Sequence, residues 1–64
     1  MGGGSRAMAT YACLFFKDGI VAYWVNIEET EERLRASLQV RLQEESWQLI
    51  EVWRGETVVF RISG

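Results

Sequence analysis

Apolar residues recur along this chain in two different patterns, and the patterns predict its elements. Residues 11–16 and 20–25 are apolar runs separated by Lys17-Asp18-Gly19, an arrangement that predicts a β-hairpin. A three-residue loop whose glycine adopts the left-handed conformation would pair Phe16 with Ile20. Both faces of this hairpin are apolar, so each face needs something to cover it.

A second hairpin is predicted near the C-terminus. Its two strands each consist of two interleaved sets of residues, and Arg54-Gly55-Glu56-Thr57 forms the turn between them. In the first strand Trp47, Leu49, Glu51 and Trp53 alternate with Gln48, Ile50 and Val52, and in the second Val58, Phe60 and Ile62 alternate with Val59, Arg61 and Ser63. The alternation predicts one apolar face, made of Trp47, Leu49, Trp53, Val58, Phe60 and Ile62. Glu51 falls on this face, where a carboxylate needs a partner, a raised pKa or a place at the sheet edge. A peripheral glutamate paired with an arginine and a catalytic or ligand-binding acid both fit this position.

The segment between the hairpins, residues 26–45, fits two structures. Every second residue from Leu34 to Leu42 is apolar, as in a strand. The residues that would line one face of a helix are Ile27, Leu34, Leu38 and Leu42. Good helix formers dominate the segment, and Glu29–Arg33 and Glu31–Arg35 are favourable i,i+4 pairs. These features favour the helix.

We therefore predict an α+β fold in ββαββ order, with a four-stranded antiparallel sheet and one helix packed on one face. That face is the apolar face of the second hairpin. Asn26 or Thr30 is the expected helix cap. If residues 33–43 form a strand instead, the chain becomes an all-β five-stranded meander or small barrel.

Residues 1–7, Met-Gly-Gly-Gly-Ser-Arg-Ala, have the composition of an expression scar or flexible leader, which leaves residues 8–64 as a single small domain. A domain of this size gains only about 3–5 kcal/mol from its own core, so it usually depends on a disulfide, a metal or a second subunit. With one cysteine and no histidine, neither an internal disulfide nor a structural zinc site can form. Association is the remaining route to stability.

The chain lacks the residues of the common catalytic arrangements, so we expect a non-enzymatic protein without a cofactor. Without histidine there is no Ser-His-Asp or Cys-His pair, and no phosphate-binding glycine loop follows the leader. Cys13 lies among apolar neighbours and is expected to be buried and inert. The glutamates within residues 28–32 are expected to complement the helix dipole rather than to bind a cation.

The charge balance also bears on partners. Seven basic residues stand against nine acidic ones, which disfavours a surface that follows nucleic-acid phosphates. No apolar run reaches the length of a membrane span. We expect neither a nucleic-acid nor a membrane partner, and a cytoplasmic location.

The aromatic residues supply an alternative function. On an open sheet, aromatic side chains can stack single-stranded nucleic-acid bases, and Trp53, Arg54 and Arg61 would be the contacts. Residues 11–25, which include Val21-Ala22-Tyr23, resemble the opening hairpin of the HicB-type antitoxins. The resemblance implies an antitoxin-like regulator, although Asn26-Ile27-Glu28-Glu29 replaces the Pro- and Gly-containing segment that follows in that family.

The favoured function is a small protein–protein interaction module that forms a homodimer, with an unidentified protein as a further partner. A two-fold dimer is the commonest closed assembly, and it would cover the second apolar face of the first hairpin. The candidate interface residues are Tyr11, Cys13, Phe15, Val21, Tyr23, Trp24 and Val25. If the opposite face is used, the residues are Ala12, Leu14, Phe16, Ile20, Ala22 and Trp24.

Overall fold

The computed structural model describes residues 7–64. In this range the chain forms four strands and one helix: β1 (Ala9–Lys17), β2 (Ile20–Glu29), α1 (Glu31–Glu44), β3 (Leu49–Arg54) and β4 (Thr57–Ser63). All strand pairs are antiparallel, and the strands form one sheet in the order β2-β1-β3-β4. The predicted α+β fold in ββαββ order is confirmed, and residues 33–43 are helical. Of the predicted leader, residues 1–6 lie outside the described residues.

The start of α1 follows from its capping residue. Thr30 has an extended backbone, and its hydroxyl accepts a hydrogen bond from the backbone N–H of Arg33 at 3.3 Å, as an N-cap side chain does. Both predicted i,i+4 pairs form, Arg33–Glu29 at 3.2 Å and Arg35–Glu31 at 3.3 Å. Ile27 was predicted on the helix, but it lies on β2, because β2 continues to Glu29.

The helix packs on one face of the sheet, which we call the helix face. It contributes three buried leucines, Leu34, Leu38 and Leu42. The buried sheet residues beneath it are Tyr11, Cys13, Phe15, Ile50, Val52, Phe60 and Ile62. The opposite side of the sheet, the open face, has no element of the described chain packed on it. No helix within residues 7–64 is long and apolar enough to cross a membrane.

The first turn differs from the prediction. Lys17 pairs with Ile20, so the loop contains only Asp18 and Gly19, with φ angles of 57° and 78°. Two consecutive left-handed residues are typical of the type I′ turn, whose twist matches that of the strands and which Asp-Gly favours. The predicted three-residue loop and the Phe16–Ile20 pair are therefore wrong.

A β-bulge in β2 compensates for the shorter loop. Phe16 pairs with Val21 but Phe15 pairs with Tyr23, so Ala22 is the extra residue. Beyond this bulge, the side chains divide between the two faces as predicted. The exceptions are the two residues between the bulge and the turn: Val21 pairs with Phe16 on the open face, and Ile20 pairs with Lys17 on the helix face.

The predicted apolar face of the second hairpin is also wrong, again because one strand contains a bulge. Trp53 pairs with Val58, but Val52 pairs with Phe60, which makes Val59 an extra residue in β4. This bulge exchanges the faces of β3 relative to β4. The residues that join Phe60 and Ile62 on the helix face are therefore Ile50 and Val52, and Leu49 and Trp53 lie on the open face.

Candidate interaction surface

Three of the predicted interface residues are unavailable to a partner. Tyr11, Cys13 and Phe15 lie on β1 beneath α1 and are buried in the core. The helix therefore covers the face of β1 that was assigned to a second chain. Val25 packs against the same core and is half-buried.

Exposed apolar side chains are concentrated on β2, which is an edge strand of the sheet. The exposed fractions are 66% for Ile20, 42% for Val21, 45% for Tyr23 and 62% for Trp24. We call these four side chains the β2 surface. Three of them, Val21, Tyr23 and Trp24, were predicted as interface residues, and Ile20 belonged to the alternative set.

The β2 surface is divided between the two faces of the sheet. Trp24 pairs with Leu14 and Val21 with Phe16, so both point to the open face. Tyr23 pairs with Phe15 on the helix face, where the ring centroids are 5.4 Å apart. Apolar surface is therefore exposed on both sides of the same strand.

Ile20 shares the helix face with its pairing partner Lys17. The Lys17 ammonium lies 4.8 Å from the centroid of the Trp47 ring and donates a hydrogen bond to the backbone carbonyl of Glu45 at 3.3 Å. Both groups lie just beyond the C-terminal end of α1. The hydrophobic pattern did not predict that Ile20 is strongly exposed. The Asp-Gly dipeptide is a signal for a two-residue turn, and such a turn would have paired Ile20 with Lys17 rather than with Phe16.

A polar cluster closes the core near Tyr23. The Arg41 guanidinium lies 4.5 Å from the centroid of the Phe15 ring and 5.9 Å from that of Tyr23. Glu45 accepts hydrogen bonds from the Trp47 indole at 2.6 Å and from Arg41 at 3.3 Å. These hydrogen bonds lower the pKa of Glu45, the one from Trp47 having the larger effect. Tyr23 stays 45% exposed beside this cluster.

Glu51 lies on the open face and is paired. Its two carboxylate oxygens accept hydrogen bonds from the Trp53 indole and from Arg61 Nε, each at 3.0 Å. The side chain of Glu51 is 17% exposed and that of Arg61 is 59% exposed. The hydrogen bond from Trp53, followed by that from Arg61, lowers the pKa of Glu51. Of the two roles predicted for Glu51, this geometry matches the glutamate paired with an arginine. Because its pKa is lowered, the carboxylate is ionised at neutral pH.

The three candidate nucleic-acid contacts are close together along the second hairpin. Glu51 joins Trp53 to Arg61, and Arg54 is exposed at the end of β3. Since the carboxylate of Glu51 neutralises Arg61, this cation is less available to a phosphate group. The Trp53 ring is half-buried.

Reactive groups are poorly placed in the part of the chain that the structure describes. Cys13 is fully buried, and burial raises the pKa of its thiol, an effect only partly opposed by the charge of Arg41. A thiol with a raised pKa is a poor nucleophile at neutral pH. Residues 7–64 hold no group of three or more acidic, cysteine or histidine side chains that could bind a metal ion.

Comparison with known proteins does not identify the chain. No protein family, no curated protein and no solved structure matches it. The resemblance of residues 11–25 to the HicB-type antitoxins gains no support from this comparison.

Proposed function

We propose that the chain is a small, non-enzymatic interaction module that associates with a second copy of itself. The observation that carries this proposal is the β2 surface. Natural edge strands are usually short, charged or covered, because an exposed apolar edge pairs readily with another chain. β2 has ten residues and carries no charge from Ile20 to Ile27.

The size of the exposed surface supports the same function. Judged from the usual areas of such side chains, the β2 surface leaves roughly 400 Å² of side-chain area in contact with water. Covering it would stabilise an assembly by several kcal/mol before the costs of association. A domain with so small a core has much to gain from that contribution. The cytoplasmic location stays a prediction.

Binding of single-stranded nucleic acid has weaker support. Its contact residues include an arginine that is already paired with Glu51, and the most exposed large aromatic ring, Trp24, lies on the opposite edge strand from Arg61. A phosphate-binding surface needs available cations beside the stacking rings. We therefore do not propose this function.

The test is the mass of the protein in solution, measured by light scattering at tens of micromolar. We expect twice the chain mass of 7.4 kDa. Trp24→Lys, which places a charge in the β2 surface, should give a folded monomer. The matched control is Val40→Lys, because Val40 is 53% exposed on α1 and does not belong to the β2 surface, so its replacement should leave the dimer intact. A monomeric mass for the unmodified chain would refute self-association.

A further inference from the structure

We infer that the second copy docks edge to edge, with β2 of one chain paired antiparallel to β2 of the other in one continuous eight-stranded sheet. This inference rests on the proposed self-association and adds its geometry. Two other arrangements are available to such a chain, namely stacking of the open faces and pairing through the other edge strand, β4. The structure distinguishes among them in three ways.

The first distinction is that the β2 surface extends over both faces of the sheet. Val21 and Trp24 point to the open face, whereas Ile20 and Tyr23 point to the helix face. A partner stacked on the open face would cover only the first pair. A strand added beside β2 places its own side chains next to both pairs, because neighbouring strands contact each other on both faces. Edge pairing therefore accounts for all four exposed side chains.

The second distinction is between the two edges of the sheet. β4 has seven residues and carries Arg61 in its second half, with Thr57 and Ser63 at its ends. A charged side chain and a short length are common protections of an edge strand against pairing. β2 is longer and uncharged from Ile20 to Ile27. Each edge strand contains one bulge, but the bulge in β2 lies near its turn and leaves Tyr23–Glu29 in regular pairing with β1.

The third distinction concerns direction and occupant. Glu28 and Glu29 lie at one end of β2, and the turn at its other end carries Lys17 and Asp18. Parallel pairing of two β2 strands would bring four glutamates together, which is unfavourable. Antiparallel pairing instead keeps the glutamates of the two copies at opposite ends of the strand pair. The stretch from Ile20 to Ile27, which carries no charge, then pairs with its own copy.

The extent of the contact is also sufficient. The four side chains of the β2 surface supply roughly half of the about 800 Å² that each partner of a standard interface buries. The backbone edge of β2 and the flanking side chains supply further area. Because a two-fold axis perpendicular to the sheet preserves its faces, both α1 helices lie on the same side of the joined sheet.

Backbone hydrogen exchange followed by NMR tests this geometry directly. In a free edge strand, alternate amides point to the neighbouring strand and to water, so every second amide exchanges quickly. Edge pairing should instead protect consecutive amides from Tyr23 to Ile27. The β4 edge is the internal control, and its amides should retain the alternating pattern from Phe60 to Ser63.

Two variants separate the edge from the open face. Trp24→Lys should restore alternating exchange along β2 and give a monomeric mass. Leu49→Lys introduces the same charge on the open face of β3, two strands away from the β2 edge, and should retain both the dimer and the consecutive protection. If Leu49→Lys does not fold, the exchange pattern of the unmodified chain decides alone.

The possible failures are distinguishable. Alternating exchange along β2 in a protein of dimeric mass would overturn edge pairing and leave self-association standing. Loss of the dimer in a folded Leu49→Lys variant would also overturn edge pairing, in favour of stacked open faces. A monomeric mass for the unmodified chain would overturn both this inference and the proposed function.

Discussion

At the scale of single residues, Glu51 shows what the sequence could and could not predict. Its position among apolar side chains indicated that the carboxylate needs a partner. The identity of that partner depends on the bulge at Val59, because without the extra residue Glu51 would pair with Phe60. With the bulge, Arg61 lies directly opposite Glu51 and donates to it. The bulge therefore makes a carboxylate tolerable on an otherwise apolar part of the sheet.

We expect Glu51→Gln to be less stable than the unmodified chain by about 1 kcal/mol at neutral pH, mainly through the weakened hydrogen bond from Trp53. The exposed Arg61 adds little because solvent screens its charge. Since folding lowers the pKa of Glu51, its contribution is present above the unfolded-state pKa, about 4.3, and is lost as pH falls through the folded-state value.

Urea denaturation at neutral and acidic pH measures this effect. The difference between Glu51→Gln and the unmodified chain should disappear once the carboxylate is protonated. Glu56→Gln, in the exposed turn between β3 and β4, is the control and should change stability by less than about 0.5 kcal/mol at either pH. An equally large loss for Glu51→Gln at acidic pH would show that the ionised carboxylate is not the cause.

At the scale of elements, the helix and the strands differ in how well pattern predicts them. Helix propensity and charge spacing correctly assigned residues 33–43, because the alternative strand contained only one β-branched residue, Val40. The inward face of β3 could not be assigned from pattern. Both of its faces are apolar, with Ile50 and Val52 on one and Leu49 and Trp53 on the other, so only the position of a bulge decides which face is buried.

The helix itself supplies a matched pair of variants. Leu38 is fully buried on α1, whereas Val40 is exposed on the same helix. Leu38→Ala removes core packing and leaves a cavity, which costs about 2–5 kcal/mol. Val40→Ala removes little packing and improves helix propensity by a few tenths of a kcal/mol, so it should be neutral or slightly stabilising.

Urea denaturation followed by circular dichroism distinguishes the two outcomes. Leu38→Ala should lower the midpoint strongly or abolish the cooperative transition, while Val40→Ala keeps it. Similar midpoints for the two variants would contradict the placement of α1 against the sheet.

At the scale of the whole molecule, the described chain is thin, with principal extents of 44 × 24 × 14 Å. One helix on a four-stranded sheet covers the centre of one face, and it leaves β2 exposed at the edge. The excess of apolar surface on the first hairpin was predictable from sequence. Which of its residues are exposed was not, because that depends on where α1 lies over the sheet and on the bulge at Ala22.

If association completes the core, stability must depend on protein concentration. For a dimer that unfolds to two separate chains, a tenfold increase in concentration adds about 1.4 kcal/mol per dimer to the apparent free energy of unfolding. The urea midpoint of the unmodified chain should therefore rise steadily from micromolar to hundreds of micromolar. Trp24→Lys, as a monomer, should have a lower midpoint that does not change with concentration. A concentration-independent midpoint for the unmodified chain, combined with a dimeric mass, would mean that the dimer dissociates in urea before its subunits unfold and that association does not stabilise the fold.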